Sequence, residues 1–198
     1  MRIIVTAFMS LDGVVQAPGG PDEDTDGGFA HGGWSMPYFD PETMGGAWDQ
    51  ALADSDAMLF GRRTWAVSGP AWTSRAGDPF ADRMNAIPKY LASRTLAADD
   101  LGSWANTSLL PADDAVGAIR ALRDREGRGL LVMGSPSLTA QLVAADLVDE
   151  YRLMIEPILL GGGKSVFPTQ GHARPLELVS VITAATGVLV CTYRAARA

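Results

Sequence analysis

The chain has 198 residues, of which 47% are hydrophobic and 20% charged, enough for one domain with a sizeable core and against wholesale disorder. Its formal net charge of −7 offers no basic face for duplex nucleic acid. One cysteine, Cys191, and two histidines, His31 and His172, exclude an internal disulfide and leave no metal-ligand set of familiar spacing.

Arg2 to Met9 is rich in β-branched and apolar residues and predicts a buried strand. It is too short for a signal peptide, and no apolar run approaches the roughly 20 residues of a membrane helix, so a soluble cytoplasmic protein is expected. Ser10 to Asp40 is long, without periodicity and full of Gly, Pro and Asp. It reads as a mobile active-site loop, with disorder of Pro18 to Gly28 as the alternative. Pro41 to Asp54 predicts a helix, Ala57 to Phe60 a strand and Arg62 to Ser68 a second helix.

Lys89 to Ser93 and Thr107 to Leu110 read as strands. Asp113 to Arg125 predicts a helix with Val116, Ile119 and Leu122 on one face. Leu130 to Met133 predicts a buried strand, Ser137 to Ala145 a helix and Asp149 to Leu160 another strand. Leu176 to Thr183 and Val188 to Arg194 predict a hairpin around Ala185 to Gly187, and Cys191 falls inside it as a core or strand residue. Alternating β and α followed by consecutive strands implies an α/β fold, its central sheet mainly parallel with antiparallel C-terminal strands. No linker divides residues 1–198, so a single domain is expected.

Two places carry the strongest chemical signal. In D-A-M-L-F-G-R-R-T-W, from Asp56 to Trp65, and in G-L-L-V-M-G-S-P-S-L, from Gly129 to Leu138, an apolar run stops at glycine and a helix starts at once. Such a turn points free N–H groups and the positive end of a helix at one spot. Gly61, Arg62, Arg63 and Thr64 thus suit an oxyanion, since a guanidinium grips one bidentately; alone they fit an ordinary turn equally well. Gly134, Ser135, Pro136 and Ser137 suit phosphate or a plain helix cap. Ser93 and Arg94 close a strand and are either a 2′-phosphate site or a surface turn. Gly161-Gly162-Gly163-Lys164 lacks the full phosphate-loop spacing and reads as a turn. Asp12 reads as a turn residue and Asp40 as a helix cap, each with the option of facing a substrate.

These segments together resemble a known group. S-L-D-G after the first strand, D-A-M-L-F-G-R-R-T-W, P-K-Y-L-A-S-R-T-L, V-M-G-S-P-S-L and L-V-D-E-Y-R-L-M-I-E-P-I-L-L-G-G-G-K-S-V-F are similar to the dihydrofolate reductase-like superfamily. The likeness is greatest to its single-domain group resembling the C-terminal reductase half of the bifunctional riboflavin-biosynthesis deaminase–reductase. The resemblance implies a three-layer dihydrofolate reductase-like fold and an NADPH-dependent reductase of a pterin-like or pyrimidine-like heterocycle, acting as a homodimer on a small-molecule substrate. The alternative is a non-catalytic nucleotide- or folate-binding protein that keeps the cofactor cleft. Carried over by motif, Ala7, Gly13 and Val14 are expected near the nicotinamide, and Gly61, Arg62, Arg63 and Thr64 on phosphates. Ser93 and Arg94 are expected at the 2′-phosphate, and Gly134, Ser135, Pro136, Ser137 and Leu138 along the pyrophosphate and nicotinamide. Asp40 is the expected proton donor or substrate-orienting acid. Met133 stands where the riboflavin reductases carry glutamate.

Overall fold

The computed structural model describes residues 1–102 and 104–196. One sheet of eight strands runs through it: β1 (Arg2–Ser10), β2 (Ala57–Gly61), β3 (Lys89–Ala92), β4 (Thr107–Leu109), β5 (Gly129–Met133), β6 (Glu150–Glu156), β7 (Leu176–Thr183) and β8 (Leu189–Ala195), in the spatial order β4-β3-β2-β5-β1-β6-β8-β7. All pairs from β4 to β6 are parallel. β8 is antiparallel to both its neighbours, so β7 again runs in the direction of the parallel set.

The middle strands are apolar on both sides because both sides are covered. In β1 every residue after Arg2 is buried, the continuous pattern that a central parallel strand needs. Ile3, Val5 and Met9 pack beneath α4 (Ala115–Arg123) and α5 (Pro136–Ala144), against Ile119, Leu122, Leu138 and Leu142. Ile4 faces the opposite layer, with Ala51 and Leu52 of α1 (Gly46–Ala53), Trp65 of α2 (Arg62–Thr73) and Met84 of α3 (Pro79–Ala86). The three-layer α/β/α expectation therefore holds, and Val116, Ile119 and Leu122 share the core-facing side of α4.

Several elements depart from expectation. The helix from Pro41 begins as a wide π-type turn, Pro41–Gly45, before α1; the Gly45-Gly46 pair at the junction lacks side chains that would stiffen the helix. α2 passes Pro70 and ends at Thr73. α3, unforeseen from the sequence, starts at a Asp78-Pro79 cap whose carboxylate accepts from Phe80 N–H and Ala81 N–H. β6 stops at Glu156, before Pro157, which lacks the N–H for a ladder bond.

The segment after β1 folds back over the sheet end. Trp34 Nε1 donates to Gln16 O at 2.7 Å, Gly33 N–H donates to Ala17 O at 2.8 Å, and Gln16 Nε2 reaches the carbonyls of Asp24 and Asp26. Residues 18–28 thus follow a course held by side-chain-to-backbone bonds, an order that leaves no periodic signal in sequence. The Gly161–Lys164 turn braces this loop. Asp12 accepts from Leu160 N–H and Gly161 N–H, and Lys164 Nζ bridges Asp24 and Asp26 at 2.5 and 2.9 Å. Gly163 has φ +143°, and a Cβ there would stand 2.6 Å from Val14 Cγ1, so only glycine allows the approach.

Candidate active site

The parallel strands deliver their C-terminal ends to one edge, and the expected cofactor residues arrive there together. β2 and β5 are neighbours in register, Ala57 opposite Leu130 and Leu59 opposite Val132, so the turns that follow them lie side by side. Gly61 N–H donates to Ser135 Oγ at 3.0 Å across the two turns. Gly134 and Ser135 have φ of +54° and +50°, which lifts the chain off β5 into α5. Gly134 N–H is tied to Thr6 O at 2.9 Å, and Thr139 Oγ1 donates to Gly134 O at 2.7 Å. Nothing stands within 4 Å of a Cβ placed on Gly134, so the backbone is open to a ligand at close range.

Arg62, Arg63 and Thr64 form the first turn of α2. Arg62 is exposed and, among the described residues, has no hydrogen-bond or ion-pair partner. Arg63 differs: its guanidinium is paired with Asp26 and lies 3.6 Å from Asp24. The Lys164 ammonium, with Arg63 beside it, holds the Asp26 carboxyl below its ordinary range. One strand further out, Ala92 of β3 pairs with Gly61, which puts Ser93 and Arg94 next to the first turn. Ser93 is buried and its Oγ accepts from Thr95 N–H and Leu96 N–H, while Arg94 is exposed and unpaired among the described residues.

A cleft of about 700 Å³ opens beside these turns, between the ends of β1 and β5, α2 and the loop. Ala7, Thr64 and Gly134 line it, together with Thr6, Val15, Met133 and a wall of Phe8, Phe39, Trp48 and Trp72. Thr6 Oγ1 is buried in its floor without a hydrogen-bond partner among the described residues. Gly13 and Val14 stand behind the lining: Gly13, at φ +84°, closes the turn by donating to Ser10 O, and Val14 N–H donates to Ser10 Oγ. Pro136, Ser137 and Leu138 form the first turn of α5, Leu138 reaching the core.

Asp40 sits at the head of the π-type turn and not in the cleft lining. Its carboxylate accepts from Glu42 N–H, Thr43 N–H and Ala185 N–H, and the bond from Thr43 leads the causes that keep its carboxyl below the ordinary range. The cap reading of Asp40 is what the geometry displays; an acid held ionised by three backbone donors is poorly suited to give up a proton. Two carboxyls line the cleft, Asp22 and Glu23, and burial holds that of Glu23 above its ordinary range.

Among the lining residues that the sequence did not single out are Glu23, Met36, Phe39, Trp48, Trp72 and Arg75. Trp48 falls on an amphipathic helix, Trp72 in the stretch beyond Ser68 where no helix was expected, and Glu23 in an aperiodic loop. None is part of a motif. Among the described residues no group of His, Cys, Asp and Glu is placed to hold a metal ion, and no helix is long and apolar enough to cross a membrane.

A doubly wound sheet with an open glycine turn at the crevice beside its central strand defines a class of ligand-binding α/β protein. Residues 1–190 match the RibD C-terminal domain family, and the chain belongs to it. A protein of Bacillus subtilis strain 168, YyaP, uncharacterized, is 26% identical over 97% of this chain and 94% of its own length. A structure from Shewanella sp. PV-4, provisionally assigned to riboflavin biosynthesis, covers 100% of both chains at 20% identity with a TM-score of 0.72. A pyrimidine reductase-like protein from Corynebacterium diphtheriae covers 100% of this chain and 92% of its own, at 15% identity and a TM-score of 0.62. The two structures share the fold, and family membership supports a reductase-like role.

Proposed function

We propose that the chain is an NADPH-dependent reductase of a pterin-like or pyrimidine-like heterocycle. The observation that carries the reading is the junction of the two turns, where Ser135 Oγ accepts from Gly61 N–H and the Gly134 backbone stays open. When bound, NADPH supplies a hydride. Gly61, Arg62 and Thr64 face its phosphates from α2, and Gly134 to Leu138 from α5, each at the start of a helix. Arg63 reaches them only by parting from Asp26. Arg94, unpaired among the described residues and close in register to Gly61, takes the 2′-phosphate, with Ser93 shaping the turn that presents it. Ala7 borders the nicotinamide, while Gly13 and Val14 set the turn that presents Val15 to the cleft. Asp40 enters this reading as a positioning residue, because it caps the turn leading to α1 and Trp48.

The test is calorimetric titration with NADPH and NADH, followed by NADPH oxidation with dihydrofolate or the riboflavin-pathway pyrimidine. Preference for NADPH and turnover of a heterocycle are expected. NADPH binding without any turnover would favour a non-catalytic binder, the reading that Met133 supports. Absence of NADPH binding would remove both. We further infer a two-fold homodimer through β7, supported by its apolar edge, exposed along its length.

A further inference from the structure

Two walls of the cleft are fastened to each other at one end. One wall is the loop from Pro18 to Glu23, the other is α2 from Thr64 to Trp72. Asp24 directly follows the first and Arg63 directly precedes the second. The Arg63 guanidinium is paired with Asp26 and lies 3.6 Å from Asp24. Among the described residues this is the one hydrogen-bonded or ionic link between the loop and α2.

The fastening is asymmetric. Both acids have a second cation, since Lys164 Nζ stands 2.5 Å from Asp24 and 2.9 Å from Asp26. Gln16 Nε2 holds the backbone of the same stretch, donating to the carbonyls of Asp24 and Asp26 at 3.0 Å each, and Gln16 Oε1 accepts from Lys164 N–H. None of these bonds reaches α2. Arg63 can therefore leave without stranding a carboxylate. Its side chain and that of Asp26 are each about half exposed, and an ion pair in that setting is worth little. The first turn of α2 has more to offer an anion. No side chain caps it, and the N–H groups of Arg62, Arg63 and Thr64 are uncommitted among the described residues. A diphosphate there meets those donors and the positive end of the helix as well as the guanidinium, so exchange of Asp26 for such a group runs toward the phosphate.

We propose that Arg63 is a releasable clasp: it exchanges Asp26 for a diphosphate group at the first turn of α2, and the exchange unfastens the loop wall from α2. The proposal rests on the reading of Gly61 to Thr64 as a phosphate site and adds how entry to the cleft is controlled there.

Calorimetry on the full chain at low ionic strength, with inorganic pyrophosphate and with NADPH, compares the parent with Asp26→Asn, Arg63→Ala and the double variant. Asp26→Asn keeps the shape of the side chain and removes the charge that holds Arg63. It is expected to bind both ligands about three- to fivefold more tightly, the size of one exposed ion pair. In the Arg63→Ala background the same change is expected to give no gain. Hydrogen exchange of residues 18–28 is expected to quicken severalfold when pyrophosphate binds the parent, and to be quick already in both single variants; unchanged protection of the sheet shows that the variants are folded. Asp26→Asn binding no more tightly than the parent overturns the proposal. So does a gain that persists without Arg63, which marks general charge repulsion, or a loop that exchanges more slowly with pyrophosphate bound. The two readings separate in the same data. The expected pattern with pyrophosphate but no NADPH binding strikes the cofactor assignment alone. NADPH binding that Asp26→Asn leaves unchanged strikes the clasp alone, and binding of neither ligand strikes both.

Discussion

Gly61 N–H donates to Ser135 Oγ at 3.0 Å, across 74 residues of sequence, and this bond fixes the distance between the two helix N-termini that face the cleft. Ser135 makes it from a left-handed conformation, φ +50°, which disfavours a side chain. Ser135→Ala keeps the strain and leaves a part-buried donor unpaired, so a loss of about 1–3 kcal/mol is expected. Ser135→Gly loses the same bond but relieves the backbone, so it should cost less. Urea unfolding of the three proteins checks the order; glycine destabilising as much as alanine would show that the strain is not real.

Arg94 stands exposed at the end of β3, and no group among the described residues neutralises it. If it meets the 2′-phosphate, Arg94→Ala should weaken NADPH by about 1.5–3 kcal/mol, the range for hydrogen bonds to charged groups, and leave NADH nearly unchanged. Arg63 is already engaged by Asp26 and Asp24, so Arg63→Ala should cost less NADPH affinity than Arg94→Ala. Calorimetry with both cofactors decides; equal losses for NADPH and NADH remove Arg94 from the 2′-phosphate role.

The pair of glycine turns was legible because its signals are local. A buried strand, a glycine and a helix start sit within ten residues of each other at Gly61 and again at Gly134, and parallel pairing of β2 with β5 brings them together. The aromatic wall of the cleft was not legible, because it is assembled from distant pieces. Phe8, Phe39, Trp48 and Trp72 come from a strand, a loop and two helices, and each alone looks like a core residue. α3 is short, and α2 continues through Pro70, a residue that ordinarily marks a helix end. Asp40 showed its cap signature in sequence, and the acids lining the cleft, Asp22 and Glu23, showed nothing.

Glu156 is wholly buried at the end of β6, where Ser35 Oγ donates to Oε1 at 2.6 Å and Oε2 has no partner among the described residues. Burial pushes this carboxyl up to about 7 from its ordinary 4.5. The unfolded carboxyl loses its proton near the lower value and the folded one near the higher. Between them the folded chain holds the extra proton, so this group's stabilising contribution is full below pH 4.5, falls as pH rises and is gone above 7. Glu156→Gln stays neutral throughout and keeps an acceptor for Ser35. It should match the parent near pH 4.5 and exceed it at pH 8 by on the order of 2–3 kcal/mol. Thermal melts of both proteins from pH 4.5 to 8 measure this; parallel curves would mean that the carboxyl titrates normally.

β7 is one of the two edge strands of the sheet, and every residue from Leu176 to Thr183 is exposed. Its apolar side chains stand on both faces, with Leu178 56%, Val181 51% and Ile182 57% accessible. A long apolar edge of this kind invites pairing with another chain, and a second copy presents the same edge, which gives a self-complementary two-fold contact. Val190 of the neighbouring β8 is a poor place to test this, because it is buried against the core around Phe8 and Met154, where a charge would unfold the chain. Ile182→Asp puts the charge on the exposed strand instead and should leave the melting temperature of the monomer fold nearly unchanged while splitting the dimer. Sedimentation at micromolar concentration should give a dimer mass for the unmodified chain and a monomer mass for the variant. A monomer mass for the unmodified chain sinks the assignment of β7 as an interface.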